Sequence, residues 1–144
     1  MRGAATNIFV IRLILIVFSF INKPDSPEDC LRYWQRELDL QDWKVTVKIV
    51  PADQLDYATL GDIEPDAKSK TALMRLRRTS DSDLHGRLAV AEQSNTVLHE
   101  MVHLRKFAAK ESDWRIEAAV DSEATRLVRK HRRWFESLAH EPAD

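Results

Sequence analysis

One cysteine in 144 residues, Cys30, leaves no intramolecular disulfide and no cysteine-rich zinc knuckle. A metal site in this chain has to be built from histidine and carboxylate. Three glycines and five prolines, with no low-complexity tract and no internal repeat, exclude collagen-like, solenoid and largely disordered classes. Neither sign of charge dominates: 22 basic and 23 acidic residues give a formal net charge of -1, so bulk electrostatics asks for no nucleic acid or acidic polymer. No nucleic-acid partner is predicted. What is present is ordinary globular composition, 44% hydrophobic and 31% charged, in a length that suits one domain. Cys30 reads as a small buried residue on the first helix.

The long hydrophobic run is confined to Ile8–Ile21, interrupted at Arg12 and preceded by a leader carrying Arg2. It is short for a membrane span, and the Phe20-Ile21-Asn22-Lys23-Pro24 sequence behind it lacks the small residues of a cleavage site. An uncleaved membrane anchor, an atypical signal peptide and an extension upstream of the domain stand as three readings. The division is therefore residues 1–22 as a hydrophobic segment, with membrane association through 8–21 among its readings, and residues 23–144 as the domain.

Ser26-Pro27-Glu28-Asp29 starts a helix: a capping serine, a proline at the first helical position and carboxylates in the first turn. Leu31, Trp34 and Leu38 continue it at helical spacing to about Leu40. From Trp43 to Val50 the period becomes two, with Trp43, Val45, Val47 and Ile49 on one face. A weaker strand is predicted over Tyr57–Ile63, a turn at Glu64-Pro65-Asp66, and a third strand over Thr71–Arg77, where Ala72, Met74 and Leu76 alternate with Leu73, Arg75 and Arg77. Thr79–Gly86 reads as a loop. Helical periodicity returns over Val97–Ala108 and Trp114–Leu138. The expected class is α+β: a helix, a small three-stranded antiparallel sheet and two helices.

His99-Glu100-Met101-Val102-His103 lies in the first of these last two helices. Residues four apart share a helix face, so both imidazoles can bind one Zn²⁺ while Glu100 turns toward its bound water. Zinc lowers the pKa of that water toward ~7, and Glu100 as general base takes the proton and later passes it to the leaving amine. Catalytic zinc has three protein ligands, and Glu117 on the following helix is the candidate third, with Glu123 as its competitor. Asp121, one turn beyond Glu117, is placed to accept the second ring N–H of a ligating histidine. The positions where a metzincin carries its glycine and third histidine are Lys106 and Ala109.

The pattern His99-Glu100-Met101-Val102-His103 with Glu117-x-x-x-Asp121 resembles a gluzincin peptidase reduced to its core. Leu31-Arg32-Tyr33-Trp34-Gln35, Leu40-Gln41-Asp42-Trp43-Lys44-Val45 and Ala58-Thr59-Leu60-Gly61 are similar to segments of small metallopeptidase-like proteins encoded by phages and bacteria. The resemblance covers roughly Cys30 to Leu127. It implies a zincin-like fold, a zinc-dependent peptidase acting on peptide or protein substrates, and a substrate cleft lined by the last strand before the motif helix. Thr71–Arg77 would then pair with an extended substrate. The resemblance favours a cytoplasmic domain, whereas the hydrophobic leader favours anchoring or export. Oligomeric state and cleavage specificity are not encoded in these motifs.

Tyr57, His85 and His131 are the available oxyanion donors, and sequence assigns the role to none of them. Trp34, Trp43, Trp114 and Trp134 read as core anchors. The run from Arg126 to Arg133 reads first as a solvated helix face, and the alternative function it offers is a metal-stabilised, non-catalytic module binding nucleic acid or membrane. A third reading is a chance motif that holds no metal.

Overall fold

The computed structural model describes residues 26–138; the hydrophobic segment 1–22 lies outside them. Helix α1 spans Pro27–Glu37, strands β1, β2 and β3 span Lys44–Val50, Gly61–Asp66 and Thr71–Arg77, and helices α2 and α3 span Arg87–Ala108 and Glu117–Leu138. The architecture is α+β, as the periodicities imply. Among the described residues no helix is long and apolar enough to cross a membrane.

Helix α1 begins where its sequence says it should: the Asp29 amide donates to Ser26 Oγ at 3.1 Å, with Pro27 in the first turn. Such a cap is worth about 1 kcal/mol. Its buried stripe, Cys30, Leu31 and Trp34, packs on α2. The helix ends with Asp39 at φ 57, where the Leu40 amide reaches the Gln35 carbonyl at 2.8 Å and the Asp39 amide reaches the Arg36 carbonyl at 3.2 Å. This is a Schellman termination with aspartate in the usual glycine position.

The sheet order is β1-β3-β2, with β1 parallel to β3 and β2 antiparallel to it. The expectation of an all-antiparallel sheet is corrected to a mixed one. The segment 51–60 carries the chain across the end of the later β3 rather than folding back beside β1, and it is fastened there: the Arg77 amide donates to the Leu60 carbonyl and the Arg78 amide to the Val50 carbonyl, both at 2.9 Å. A parallel pair needs such a crossover, and a sequence pattern of period two cannot report it. The second strand is also displaced. Tyr57 is exposed and outside it, while Glu64-Pro65-Asp66, expected as a turn, forms its second half, with Pro65 opposite Ala72. Proline is tolerated there because β2 is an edge strand. The turn falls at 67–70, with Lys70 at φ 50.

Central β3 buries Ala72, Met74 and Leu76 and turns Leu73, Arg75 and Arg77 to the other face, as expected. It is paired on both sides, so the expectation that β3 adds a substrate strand does not stand. Among the described residues, the strand with an unpaired edge on the side next to α2 is β2. Helix α2 starts ten residues before the sequence reading places it, after Gly86 at φ 57, ψ -129, a conformation that glycine alone adopts readily. Its first half contains Ser94, Asn95 and Thr96, poor helix formers, but Ser94 Oγ and Thr96 Oγ1 donate to the carbonyls of Val90 and Glu92 at 3.0 and 2.8 Å. Helix α2 is the spine of the domain, contacting α1, β2, β3 and α3, and Val97, Leu98, Met101, Val102 and Leu104 are fully buried. Helix α3 starts at Glu117, leaving Trp114 in the connecting loop.

Candidate metal centre

Helix α2 holds His99 and His103 one turn apart, and the loop after Ala108 returns so that α3 opens with Glu117 against both. His99 Nε2 lies 2.8 Å from Glu117 Oε2, His103 Nε2 lies 3.2 Å from Glu117 Oε1, and the two Nε2 atoms are 3.2 Å apart. Three donors thus converge on one point.

The other ring nitrogens are turned outward and held. His103 Nδ1 is 2.6 Å from the Trp114 carbonyl, and His99 Nδ1 is 2.9 Å from Asp121 Oδ1. A carbonyl only accepts, so His103 carries its proton on Nδ1, and Nε2 is left to face the other donors. The carboxylate of Asp121, buried to 7% exposure, imposes the same tautomer on His99. Glu100 is buried to 4% exposure, with a carboxylate oxygen within 4.8 Å of ligand atoms of both histidines. Glu117 is half exposed, so the convergence point opens toward solvent on its side.

The electrostatics describe a cluster that holds its charges tightly. Burial works against the His99 imidazolium, but the hydrogen bonds to Asp121 and Glu117 outweigh it and carry the pKa up to about 10. His103 is raised as well: burial opposes its charge, and Glu117 and Glu100 more than compensate. For Glu117 burial favours the neutral acid, yet the hydrogen bonds from His103 and His99 hold it far below the usual carboxylate range. Glu100 moves the other way, pushed up to about 7 by burial, with the two histidines drawing it partly back and the charges of Glu117 and Asp62 adding to the rise.

The residues fit a metal ion. His99, Glu100 and His103 form one group of potential ligands, and His99, Glu117 and Asp121 form another. Ligand atoms about 2.0–2.2 Å from a tetrahedral ion stand ~3.4 Å from each other; the separations here, 2.8, 3.2 and 3.2 Å, are shorter, so the donors need only spread slightly to receive an ion. In the second group Glu117 contacts His99 at Nε2 and Asp121 contacts it at Nδ1, so Asp121 serves the imidazole rather than the convergence point.

His99, Glu100, His103, Glu117 and Asp121 are therefore brought together. Glu123, the rival of Glu117, is directed elsewhere, 2.6 Å from the Arg105 guanidinium. Tyr57 and His85 are exposed, and His131 lies 2.8 Å from the Tyr33 hydroxyl of α1. Trp34 and Trp43 are core residues, but Trp114 is only partly buried. A groove of about 670 Å³ is lined by Trp43, Lys70, Phe107, Glu111 and Trp114 among others, and includes none of the three donors. Two participants escape sequence reading: the Trp114 carbonyl, because main-chain groups carry no residue signature, and Asp62, whose approach to Glu100 depends on β2 crossing α2. Comparison with known proteins gives no match to a family model, to a curated protein or to a solved structure.

Proposed function

We propose that the domain is a zincin-like metallopeptidase in which His99, His103 and Glu117 hold one Zn²⁺ and Glu100 is the general base for hydrolysis of a peptide bond. The observation that carries this reading is the convergence of two imidazole Nε2 atoms and one carboxylate within 3.2 Å of each other, with each Nδ1 anchored behind. Two imidazoles and a carboxylate suit zinc, and three protein donors leave a position for reactants. When bound, the ion supplies a Lewis acid that polarises the scissile carbonyl and acidifies a water.

The chain's own residues supply the rest. Glu100, on the same turn of α2 and almost fully buried, is placed to accept a proton beside the donors and return it to the leaving amine. Asp121 and the Trp114 carbonyl keep both imidazoles in the metal-binding tautomer. The unpaired edge of β2 is the strand available to an extended peptide, because Gly61 passes directly against Thr96, one turn before Glu100.

The test is cleavage of a mixture of unstructured peptides by the full chain loaded with zinc, read by mass spectrometry, beside Glu100→Gln. The proposal expects wild-type cleavage, with Glu100→Gln retaining the metal and losing about 10²–10⁴-fold in rate. A metal-loaded wild type that cleaves nothing, or a variant as active as wild type, overturns it; the former result leaves a metal-stabilised binding module, with exposed Arg126, Arg129 and Lys130 on α3, as the reading to pursue.

A further inference from the structure

Below the metal centre, the C-terminal end of α2 carries a second charged cluster. Lys106 is buried to 6% exposure, unusual for an ammonium, and its Nζ lies 3.0 Å from Asp113 Oδ1 and 3.2 Å from Glu111 Oε2. Arg105 Nη2 lies 2.9 Å from the same Glu111 oxygen and 2.6 Å from Glu123 Oε2 on α3. All three partners, Glu111, Asp113 and Glu123, belong to the segment that turns back from α2 or to the helix that follows it.

That segment is held in part by the Phe107–Trp114 ring contact, with centroids 4.9 Å apart, and by the Ile116 amide on the Asp113 carbonyl at 2.9 Å. After α2 the Glu111 amide reaches the Lys106 carbonyl and the Lys110 amide the Phe107 carbonyl, both at 3.0 Å, with Lys110 at φ 57. Lys106 therefore grips the same loop twice, through its carbonyl and through its side chain. The residue after Asp113 is Trp114, whose carbonyl accepts the Nδ1–H of His103. His103 lies three residues before Lys106 on α2, so a single turn of helix presents both the imidazole and the cation that holds its acceptor.

We propose that Lys106 is a positioning residue of the metal centre: by pairing with Asp113 and Glu111 it fixes the loop that presents the Trp114 carbonyl to His103. Without the ammonium, Glu111 keeps its Arg105 partner, but Asp113, the residue next to Trp114, loses the cation that holds it and the Trp114 carbonyl loses its restraint on that side. The effect on metal binding rests on the metallopeptidase reading above, whereas the effect on the His103 hydrogen bond does not. A salt-bridge network that merely stabilises the fold would lower stability without acting through His103. The two roles are separable.

The experiment follows the His103 Nδ1–H resonance in the metal-free, ¹⁵N-labelled full chain, together with Co²⁺ titration, in wild type, Lys106→Met, Lys106→Arg, His103→Ala and the Lys106→Met/His103→Ala double variant. Lys106→Met is expected to lose the resonance while retaining helical circular dichroism, and to bind Co²⁺ about 10–100-fold more weakly. Lys106→Arg should keep the resonance, and in the His103→Ala background Lys106→Met should change Co²⁺ affinity by less than about twofold. Should Lys106→Met not fold, Asp113→Asn breaks the same contact from the loop side and should lose the same resonance. Retention of the resonance in Lys106→Met or Asp113→Asn overturns the proposal, as does an equal loss of affinity with and without His103. A wild type that shows the resonance but binds no Co²⁺ overturns the metal reading instead, and the resonance alone then decides the role of Lys106.

Discussion

Gly61 and Thr96 touch at the crossing of β2 and α2: a Cβ added to Gly61 would lie 2.8 Å from Thr96 Cγ2 and 2.7 Å from the Arg75 carbonyl oxygen. The carbonyl belongs to the β3 backbone and Thr96 is tied to the Glu92 carbonyl, so neither neighbour can move aside cheaply. Gly61→Ala is expected to destabilise the domain by about 1–3 kcal/mol through overpacking. Urea unfolding checks this, and an unchanged midpoint would show that β2 can retreat from the helix.

The helix that carries the motif, its histidine spacing and the glutamate helix were legible because side-chain periodicity and a local motif encode them. The sheet was less so. Pairing of β1 with β3 is a non-local choice, and Pro65, a turn residue by local chemistry, is accepted in β2 because that strand lies at the edge. The first half of α2 was hidden by Ser94, Asn95 and Thr96, whose polarity breaks the apolar period although two of them bond back to the helix. At the candidate metal centre the five side chains could be named from spacing, whereas the Trp114 carbonyl and the Lys106 pairing depend on how the loop returns.

The Schellman end of α2 places Lys110 at φ 57, where a side chain is disfavoured and glycine is at ease. Lys110→Gly should raise stability by about 0.5–1 kcal/mol, the relief of the left-handed backbone exceeding the extra unfolded-state entropy. A rise in the thermal midpoint checks it. A fall would mean that the Lys110 side chain contributes more than its backbone costs.

Asp121 and Glu123 sit two residues apart on α3 but serve different partners, His99 and Arg105. Asp121→Ala is expected to weaken zinc binding about 10–100-fold, because it frees the imidazole to rotate and change tautomer. Glu123→Gln should leave zinc affinity within about twofold while lowering stability. Competition with a chelating dye measures both, and equal losses would remove the distinction.

Burial pushes the Cys30 thiol up to about 12, against 9.0 for a free thiol, with a smaller opposing hydrogen bond from Trp34. The thiol is therefore expected to react with a disulfide reagent at pH 8 only through opening of α1, at a rate that rises with urea. The folded state binds this proton more tightly than the unfolded state, so the thiol's contribution is complete below pH 9.0 and declines as pH rises toward about 12. Rapid labelling in native buffer would contradict the packing of α1 on α2.

The central claim is that His99, His103 and Glu117 form one metal site, and elemental analysis of the purified full chain, beside His99→Ala and Glu117→Ala, tests it most directly. The account predicts about one zinc per wild-type chain and loss of that zinc in both variants, each still folded by circular dichroism. A wild type that takes up no zinc after reconstitution, or variants that retain it in full, would contradict the account.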